Sequence, residues 1–288
     1  MNVVLSGIFY PMAILRYFER ALRRRSDINL FTAGPWSGSF IPWNNGMHLP
    51  EKYSIQPDFP LPMDHQVPAG FVESRLPWVP DMWIQVDAGF HFQGKPSKGV
   101  NIVVGTDPHC LDYAGARNIA DKFYCMQTPY MKPGDVFMPY AYDPVCHTPI
   151  EGVERVNDVA MIGMIYDTRA RAISIMRQHG FRVIAETGPI FEEAQQLYAT
   201  AKTGFNWSSL QDLTARVFEV MAMGLTPVVN NVPDLKTVGF IAGVDYLGFD
   251  ALEDVMPAIH AALDSPIDAR TAVKEHTWDA RVTTLLNN

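Results

Sequence analysis

The chain has 288 residues and a formal net charge of −8, so it is long enough for two domains, and its charge does not favour broad contact with a nucleic-acid backbone. Hydrophobic residues make up 48% and charged residues 19% of the sequence, values that exclude a disordered protein. The three cysteines are widely spaced, which excludes a disulfide-dense fold and indicates reduced thiols of a cytoplasmic protein. No apolar run reaches the roughly 18 residues of a membrane-spanning helix, so we expect no membrane span.

The first part of the chain is predicted to begin with a β-α-β unit. An apolar strand at 2–6 is followed directly by Gly7, then by a helix at about 11–25 and a strand at 28–32. Residues 34–80 are rich in Pro, Gly, Trp and Asn, and a loop of this length often has a functional role. Its aromatic residues either form a stacking platform for a sugar or base or pin the loop to the domain, and we favour the second interpretation. They are Trp36, Trp43, Phe59, Phe71 and Trp78.

Two further strands are predicted at 82–86 and 100–104, each followed by polar residues. Open α/β sheets bind their ligands just past the carboxyl ends of such strands. Asp107 and His109 follow the second strand and are our candidates for a general base. Asp87 and His91 follow the first strand and are the next candidates. Each of these residues could equally be a turn aspartate or a hydrogen-bonded loop histidine with no catalytic role.

A second strand–helix series follows a polar link at 146–155. Two successive series of this kind predict an α/β protein with two Rossmann-like, doubly wound domains that face across a cleft. We expect the N-terminal domain at 1–145, the C-terminal domain at 146–276, and a terminal helix at 277–288 that packs back on the first domain. Strands are predicted at 158–163, 181–185, 203–205 and 225–229, and helices at 167–179, 191–201, 251–263 and 278–286.

The most informative pattern surrounds one helix of the second series. Ser209 and Asp212 have the S-x-x-D spacing of a helix start, and a helix of about a dozen residues is predicted to end at Gly224. Arg216 and Glu219 are three residues apart and share a face of this helix. A cation and an anion beside a helix N-terminus suit a phosphate and a sugar hydroxyl. The alternative is a surface ion pair worth under about 1 kcal/mol.

Three stretches share their order and spacing with a known family. Residues 138–144 (MPYAYDP) are similar to its P-x-x-x-D-P motif, and 157–163 and Arg169 follow it. Residues 216–224 (RVFEVMAMG) are similar to its R-x-F-E-x-x-A-x-G block, and residues 276–281 (HTWDAR) to its terminal H-T-W/Y-x-x-R signature. The chain thus resembles glycosyltransferases of the GT-B architecture, in particular the CgeB-like (spore-maturation-protein-like) group. The first half matches this family only in general plan.

The resemblance implies transfer of a sugar from a nucleotide-diphosphate sugar, by default a UDP-sugar, to a hydroxyl acceptor bound by the N-terminal domain. It implies that Glu219 accepts hydrogen bonds from the donor ribose and that Arg216 and Arg169 hold the diphosphate. Arg169 is alternatively a solvated arginine in the first turn of its helix. We expect no cofactor and no metal, since no D-x-D pair follows a strand and the nucleotide sugar is a co-substrate. The other donor-binding candidates are Gly7, where the backbone could approach the diphosphate from the first domain, Gly163, Asn206, Ser208 and Gln211.

Gln211 departs from the family pattern. Retaining GT-B enzymes have an E-x7-E motif, and Gln211 stands eight residues before Glu219, where its first glutamate would be. The donor sugar and the stereochemical outcome therefore stay open, as do a GT-B-like fold used for another reaction, such as epimerisation, and a non-catalytic binding module. The acceptor also stays open among glycans, proteins, small molecules and a modified DNA base, although the net charge of −8 does not favour DNA.

Overall fold

The computed structural model describes residues 1–36, 53, 55–87, 92–208 and 210–287. These fall into two compact units: unit 1 contains Met1–Pro139 and Trp278–Asn288, and unit 2 contains Tyr140–Thr277. The sequence analysis placed the two divisions at 145/146 and 276/277. Three residues that it singled out, Trp43, His91 and Ser209, lie outside the described residues.

Unit 1 is built on a parallel β-sheet. Its strands are β1 (Asn2–Ser6), β2 (Asn29–Pro35), β3 (Phe59–Leu61), β4 (Val67–Pro68), β5 (Met82–Val86), β6 (Phe92–Gln93), β7 (Val100–Gly105), β8 (Lys122–Cys125) and β9 (Val136–Phe137). Its first helices are α1 (Ile14–Arg23), α2 (Ala69–Glu73) and α3 (Ala114–Ile119). Among the described residues, seven strands pair in the order β3-β2-β1-β5-β7-β8-β9, each pairing is parallel, and β4 pairs with β6 separately. Because the order runs outward from β1 and β5, the sheet is doubly wound.

Unit 2 has a second parallel sheet. Its strands are β10 (Asn157–Ile162), β11 (Val183–Glu186), β12 (Ala201–Asn206), β13 (Thr226–Asn230) and β14 (Leu247–Phe249). Its helices are α4 (Asp167–Gln178), α5 (Phe191–Ala199), α6 (Ala215–Ala222), α7 (Pro233–Thr237), α8 (Val255–Asp264) and α9 (Arg270–Val273). Within the described part of the chain, five strands pair in parallel in the order β11-β10-β12-β13-β14. The two predicted Rossmann-like domains are confirmed.

Continuous apolar runs explain why these strands are buried. In β10, Val159 and Met161 belong to one core cluster, together with residues of α4 and α8. Ala160 and Ile162 belong to another cluster, with residues of α5 and α6. Since successive side chains of a strand point to opposite faces, a strand covered on both sides must be apolar at every position.

Helix α6 begins later than the sequence predicted. It spans eight residues, and its N-cap is Thr214, with no capping bond from a side chain. The S-x-x-D interpretation of the helix start was wrong, because φ at Gln211 is 60° and the chain turns there instead of entering a helix. The predicted end was correct: Gly224 has φ of 68°, and its N–H donates to Met221 O at 3.0 Å.

The final helix, α10 (Trp278–Leu286), belongs to unit 1. The ring of Trp278 stacks on Tyr17 at 5.4 Å and meets Phe18 edge-on at 5.0 Å, measured between ring centroids. Nε–H of Arg281 donates to Pro139 O at 2.8 Å. The segments that enter and leave unit 2 are joined in the same way, since Tyr142 N–H donates to His276 O at 3.0 Å.

No helix among the described residues has the length and apolar character that a membrane crossing demands.

Candidate functional site

The candidate donor site lies in unit 2, where β10 and β12 end. The chain continues from these neighbouring strands in opposite directions along the sheet, so their carboxyl ends form a topological switch point, the usual ligand position in an open α/β sheet. Gly163 follows β10 with φ of 133°, and a Cβ atom there would lie 1.9 Å from Nη2 of Arg216. Only glycine lets this guanidinium approach the backbone so closely.

Arg216 is held between the two strand ends. Its Nε–H donates to Ile162 O at 2.5 Å, and its Nη1–H donates to Oδ1 of Asn206 at 2.7 Å. The hydroxyl of Thr214 donates to the same Asn206 oxygen at 3.1 Å. These oxygens are neutral, so they orient the guanidinium without cancelling its charge.

Arg169, in the first turn of α4, is held in the same manner. It is 5% exposed, Nε–H donates to Trp207 O at 2.6 Å, and Nη1–H donates to Met164 O at 2.7 Å. Its guanidinium carbon also lies 4.8 Å from the ring centre of Tyr166. Burial, and then the like charge of Arg216, lower the pKa of Arg169 to about 10. A solvated arginine would show neither feature, and two cations held this close favour binding of an anion.

Asn206 and Ser208 form a buried polar network at the end of β12. Asn206 Nδ2–H donates to Ser208 Oγ at 3.1 Å. Ser208 N–H donates to Oδ1 of Asn230 at 2.7 Å, and Nδ2–H of Asn230 donates back to Ser208 O at 3.0 Å. The network fixes the loop that presents the Trp207 carbonyl to Arg169. The sequence analysis missed Asn230, which ends β13; polar residues at strand ends were the available signal.

Glu219 lies near a histidine that the sequence analysis did not select. Its side chain is 14% exposed, and its Oε1 is 3.7 Å from Nε2 of the buried His147. Asp143 N–H donates to His147 Nδ1 at 3.0 Å, so that Nδ1 carries the lone pair. In neutral His147 the proton is therefore on Nε2, the nitrogen nearest Glu219. The signal was its position four residues after Asp143 of the P-x-x-x-D-P motif.

Gln211 lies in the exposed loop before α6 and has φ of 60°. A positive φ is uncommon for a residue other than glycine. The structure thus gives this position, which the family pattern had marked, an unusual backbone conformation.

In unit 1, the candidate base residues lie where β5 and β7 end. Asp87 Oδ1 accepts from Thr106 N–H at 3.1 Å and from the hydroxyl of Tyr113, and Asp87 Oδ2 accepts from Thr106 Oγ1–H at 2.7 Å. Asp107 directly follows Thr106 in the sequence, and its Oδ2 lies 3.2 Å from Thr106 Oγ1. Burial, and then the charge of Asp107, raise the pKa of Asp87 to about 6. The structure therefore joins Asp87 and Asp107 into one carboxylate pair.

His109 lies on the same loop and is half-buried. Its Nδ1 is 2.9 Å from Oε1 of Gln127, a fully buried residue that follows β8. The sequence analysis did not select Gln127, because an isolated glutamine after a strand carries no motif.

Gly7 has a steric role inside unit 1. A Cβ atom at this residue would lie 2.4 Å from Leu15 Cδ1 and 2.6 Å from Val86 O. Its φ of 155° is also one that other residues rarely adopt. Packing between β1, α1 and β5 is thus sufficient to require glycine here.

Within the described residues, no group of three or more His, Cys, Asp and Glu side chains is placed to hold a metal ion.

Two sequence comparisons bear on this site. Residues 168–287 match a family model described as glycosyl transferase-like. That range contains Arg169, Asn206, Arg216 and Glu219, the central residues of the candidate donor site. Among curated proteins, none matches the chain.

Solved structures match almost the whole chain at low sequence identity. Anabaena HepE in complex with UDP-glucose gives a TM-score of 0.67 at 11% identity, covering 100% of this chain and 99% of that one. Sucrose-phosphate synthase from Thermosynechococcus elongatus gives 0.61 at 12% identity, covering 99% and 97%. The chain has the GT-B fold. The GT-B likeness extends to UDP-GlcNAc 2-epimerase from Methanocaldococcus jannaschii, at TM-score 0.52 and 9% identity over 100% and 99% of the two chains. One fold thus serves different reactions, so the activity has to be argued from the site.

Proposed function

We propose that this protein is a glycosyltransferase that moves a sugar from a nucleotide-diphosphate sugar to a hydroxyl acceptor. The observation that carries the proposal is the pair Arg169 and Arg216, both anchored by neutral oxygens at the switch point. A nucleoside diphosphate gains negative charge as the glycosidic bond breaks. Fixed guanidinium groups therefore stabilise the transition state more than the bound substrate. Since these cations supply the countercharge, we propose that the reaction needs neither a metal ion nor a cofactor.

The ribose of the donor is assigned to Glu219. This residue is on the same helix as Arg216, and a carboxylate oxygen can accept hydrogen bonds from two adjacent hydroxyl groups. Partial burial strengthens such bonds. Gly163, Asn206 and Ser208 shape the backbone around the diphosphate, and Gln211 is placed on the loop nearest the sugar.

The donor nucleotide is proposed to be UDP, because structures similar to this chain contain UDP or UDP-sugars. The CgeB-like subgroup is proposed on the three motifs alone. Unit 1 is proposed to bind the acceptor and to supply the general base from Asp107 or His109. A cytoplasmic location is proposed because all three cysteines are free thiols.

The first experiment is a thermal-shift screen of nucleotide sugars, which identifies the nucleotide, followed by a transfer assay with Glu219→Ala. We expect transfer to be abolished while the circular dichroism spectrum and melting temperature stay close to wild type. Glu253→Ala, at an exposed glutamate, is the matched control and should remain active. A folded, fully active Glu219→Ala variant would refute the assignment of Glu219.

A second candidate is epimerisation of a nucleotide sugar, which the match to the UDP-GlcNAc 2-epimerase favours. Incubating the protein with UDP-GlcNAc alone and following the sugar by NMR separates the two activities. An epimer that stays attached to UDP indicates epimerisation, and release of UDP indicates transfer to water. Calorimetric binding of UDP without either product would favour a non-catalytic binding module.

A further inference from the structure

The hydrogen-bond partners of the buried Gln127 side chain determine the orientation of its amide group. Its Nε2–H donates to Thr106 O at 3.2 Å, and its Oε1 lies 2.9 Å from Nδ1 of His109. A backbone carbonyl can only accept a hydrogen bond, so the amide nitrogen must face Thr106. The amide oxygen must then face His109.

An amide oxygen also can only accept, so Nδ1 of His109 must carry a hydrogen. In a neutral imidazole the other nitrogen, Nε2, then has the lone pair. Free imidazole side chains in water favour the opposite tautomer, with hydrogen on Nε2. The structure therefore selects one tautomer against the intrinsic preference.

We propose that Gln127 is a positioning residue that holds His109 in the Nδ1–H tautomer, so that Nε2 is the atom that receives the proton of the acceptor hydroxyl. This inference rests on the proposed glycosyltransferase function and chooses His109 over Asp107 as the base. In the transfer step the acceptor O–H bond breaks and its proton goes to Nε2. The oxygen forms the bond to the sugar carbon, and the nucleoside diphosphate leaves with the electron pair of the broken bond.

The arrangement stays intact through that step. When Nε2 gains its proton, Nδ1–H continues to donate to Gln127, so no partner has to turn. Gln127 is neutral and sets the tautomer without adding charge. Among the described residues, the ring of Tyr130 lies near His109, with centroids 6.0 Å apart, and the titratable Asp107 and Cys110 are on the same loop.

The decisive measurement is the tautomer of His109. Long-range ¹H–¹⁵N correlation spectra distinguish the two neutral tautomers, and His109→Gln identifies the signals by their loss. At a pH where the ring is neutral, we expect Nδ1–H in the wild type. We expect the same in Gln127→Glu, because a glutamate oxygen still accepts from Nδ1–H of His109. Gln127→Met has similar volume but neither bond, and its His109 should shift to Nε2–H.

Kinetics supply the second measurement. Gln127→Met should lower kcat for transfer by about 10- to 100-fold, within the usual contribution of a general base. KM for the donor and calorimetric binding of UDP should stay within about threefold, and Gln127→Glu should recover most of the kcat. Melting temperatures of the two variants show whether folding is impaired.

An Nε2–H tautomer in the wild type, or Nδ1–H retained in Gln127→Met, would overturn the inference. So would an unchanged kcat in Gln127→Met. The tautomer result does not depend on any donor. If it is as expected but no donor is turned over, the positioning role stands and the proposed function fails.

Discussion

In unit 2 two arginines, Arg169 on α4 and Arg216 on α6, lie at the switch point, whereas in unit 1 two carboxylates, Asp87 and Asp107, follow β5 and β7. Neutral groups bind three of these residues: carbonyl and amide oxygens accept from the arginines, and N–H and hydroxyl groups donate to Asp87. We propose that the same class of architecture provides an anion site in unit 2 and a proton-transfer site in unit 1, because oppositely charged residues lie at the two sheet edges.

The two pairs also respond to their like charges in opposite ways. Beyond the effect of burial, Arg216 lowers the pKa of Arg169, and Asp107 raises the pKa of Asp87. An anion relieves the repulsion in unit 2, and a proton relieves it in unit 1. The comparison thus predicts that ligand affinity is most sensitive to substitutions in unit 2 and pH dependence to substitutions in unit 1.

The largest effect is expected for Arg216→Met. The change removes a fixed charge from the proposed diphosphate position, so kcat for transfer should fall by about 10²- to 10³-fold, as for loss of one oxyanion-binding group. Calorimetric affinity for UDP should fall as well. Arg171→Met, at an exposed arginine on α4, is the control and should behave as wild type. Equal activity of the two variants would show that the cation pair does not bind the leaving group.

Gly163→Ala should displace the same guanidinium without removing it. The new Cβ would overlap Nη2 of Arg216, and φ of 133° strains any residue but glycine, so we expect a loss of about 2–3 kcal/mol in the free energy of unfolding. Gly188→Ala is the matched control, because φ is 126° and a Cβ there would meet nothing within 4 Å. Denaturant unfolding of both variants separates backbone strain from the clash. Equal losses would mean that the contact with Arg216 is unimportant.

Asp87→Asn tests the pair in unit 1. The pKa of Asp87 is raised from 3.8 to about 6, so between these values the folded state binds more protons than the unfolded state. The contribution of Asp87 to the free energy of unfolding is therefore present below about pH 4 and is lost as pH rises through 6, and its size is about 3 kcal/mol. Relative to Asp87→Asn, the wild type should lose stability between pH 4 and pH 8. Denaturation at both pH values checks this, and a difference independent of pH would exclude a raised pKa.

The smallest effect is expected for His147→Phe, which removes the Nε2–H group next to Glu219. If Glu219 binds the ribose hydroxyls, the wild type should prefer UDP over dideoxy-UDP. Loss of one weak orienting contact should reduce that preference by about threefold to fivefold, since a hydrogen bond contributes roughly 1 kcal/mol. Glu219→Ala should remove it completely. An unchanged ratio of the dissociation constants for UDP and dideoxy-UDP in His147→Phe would show that His147 does not influence Glu219.

The sequence was sufficient for the central strands of both sheets and for the end of α6. The prediction of a loop over 34–80 was wrong in part, because β3, β4 and α2 lie within it. Apolar runs such as those of β7 and β10, alternating with amphipathic segments, predicted both doubly wound units, and Gly224 marked a helix end because φ is positive there. The start of α6 could not be predicted, because S-x-x-D spacing also occurs in loops and nothing in the pattern showed the turn at Gln211.

Hydrogen bonds between residues near the ends of neighbouring strands could not be predicted from the sequence either. Gln127 reaches Thr106 because β7 and β8 are paired with Gly105 opposite Cys125. Asn206 reaches Arg216 because β12 ends beside β10. Such contacts depend on the register of parallel strands, and the register is set by the packing of whole elements instead of by a local motif.

Unit 1 is built from two segments of the chain that are separated by unit 2, and this has a consequence for biosynthesis. Unit 2 is one continuous segment, and its first and last residues are joined by the hydrogen bond from Tyr142 N–H to His276 O. Unit 1 lacks Trp278 and the rest of α10 until after unit 2 has been translated. The strands of unit 1 are therefore synthesised well before α10, and until α10 packs on α1 the surface around Tyr17 and Phe18 is uncovered. Chaperone binding or aggregation should therefore be sought in chains that have β1–β9 but not yet α10.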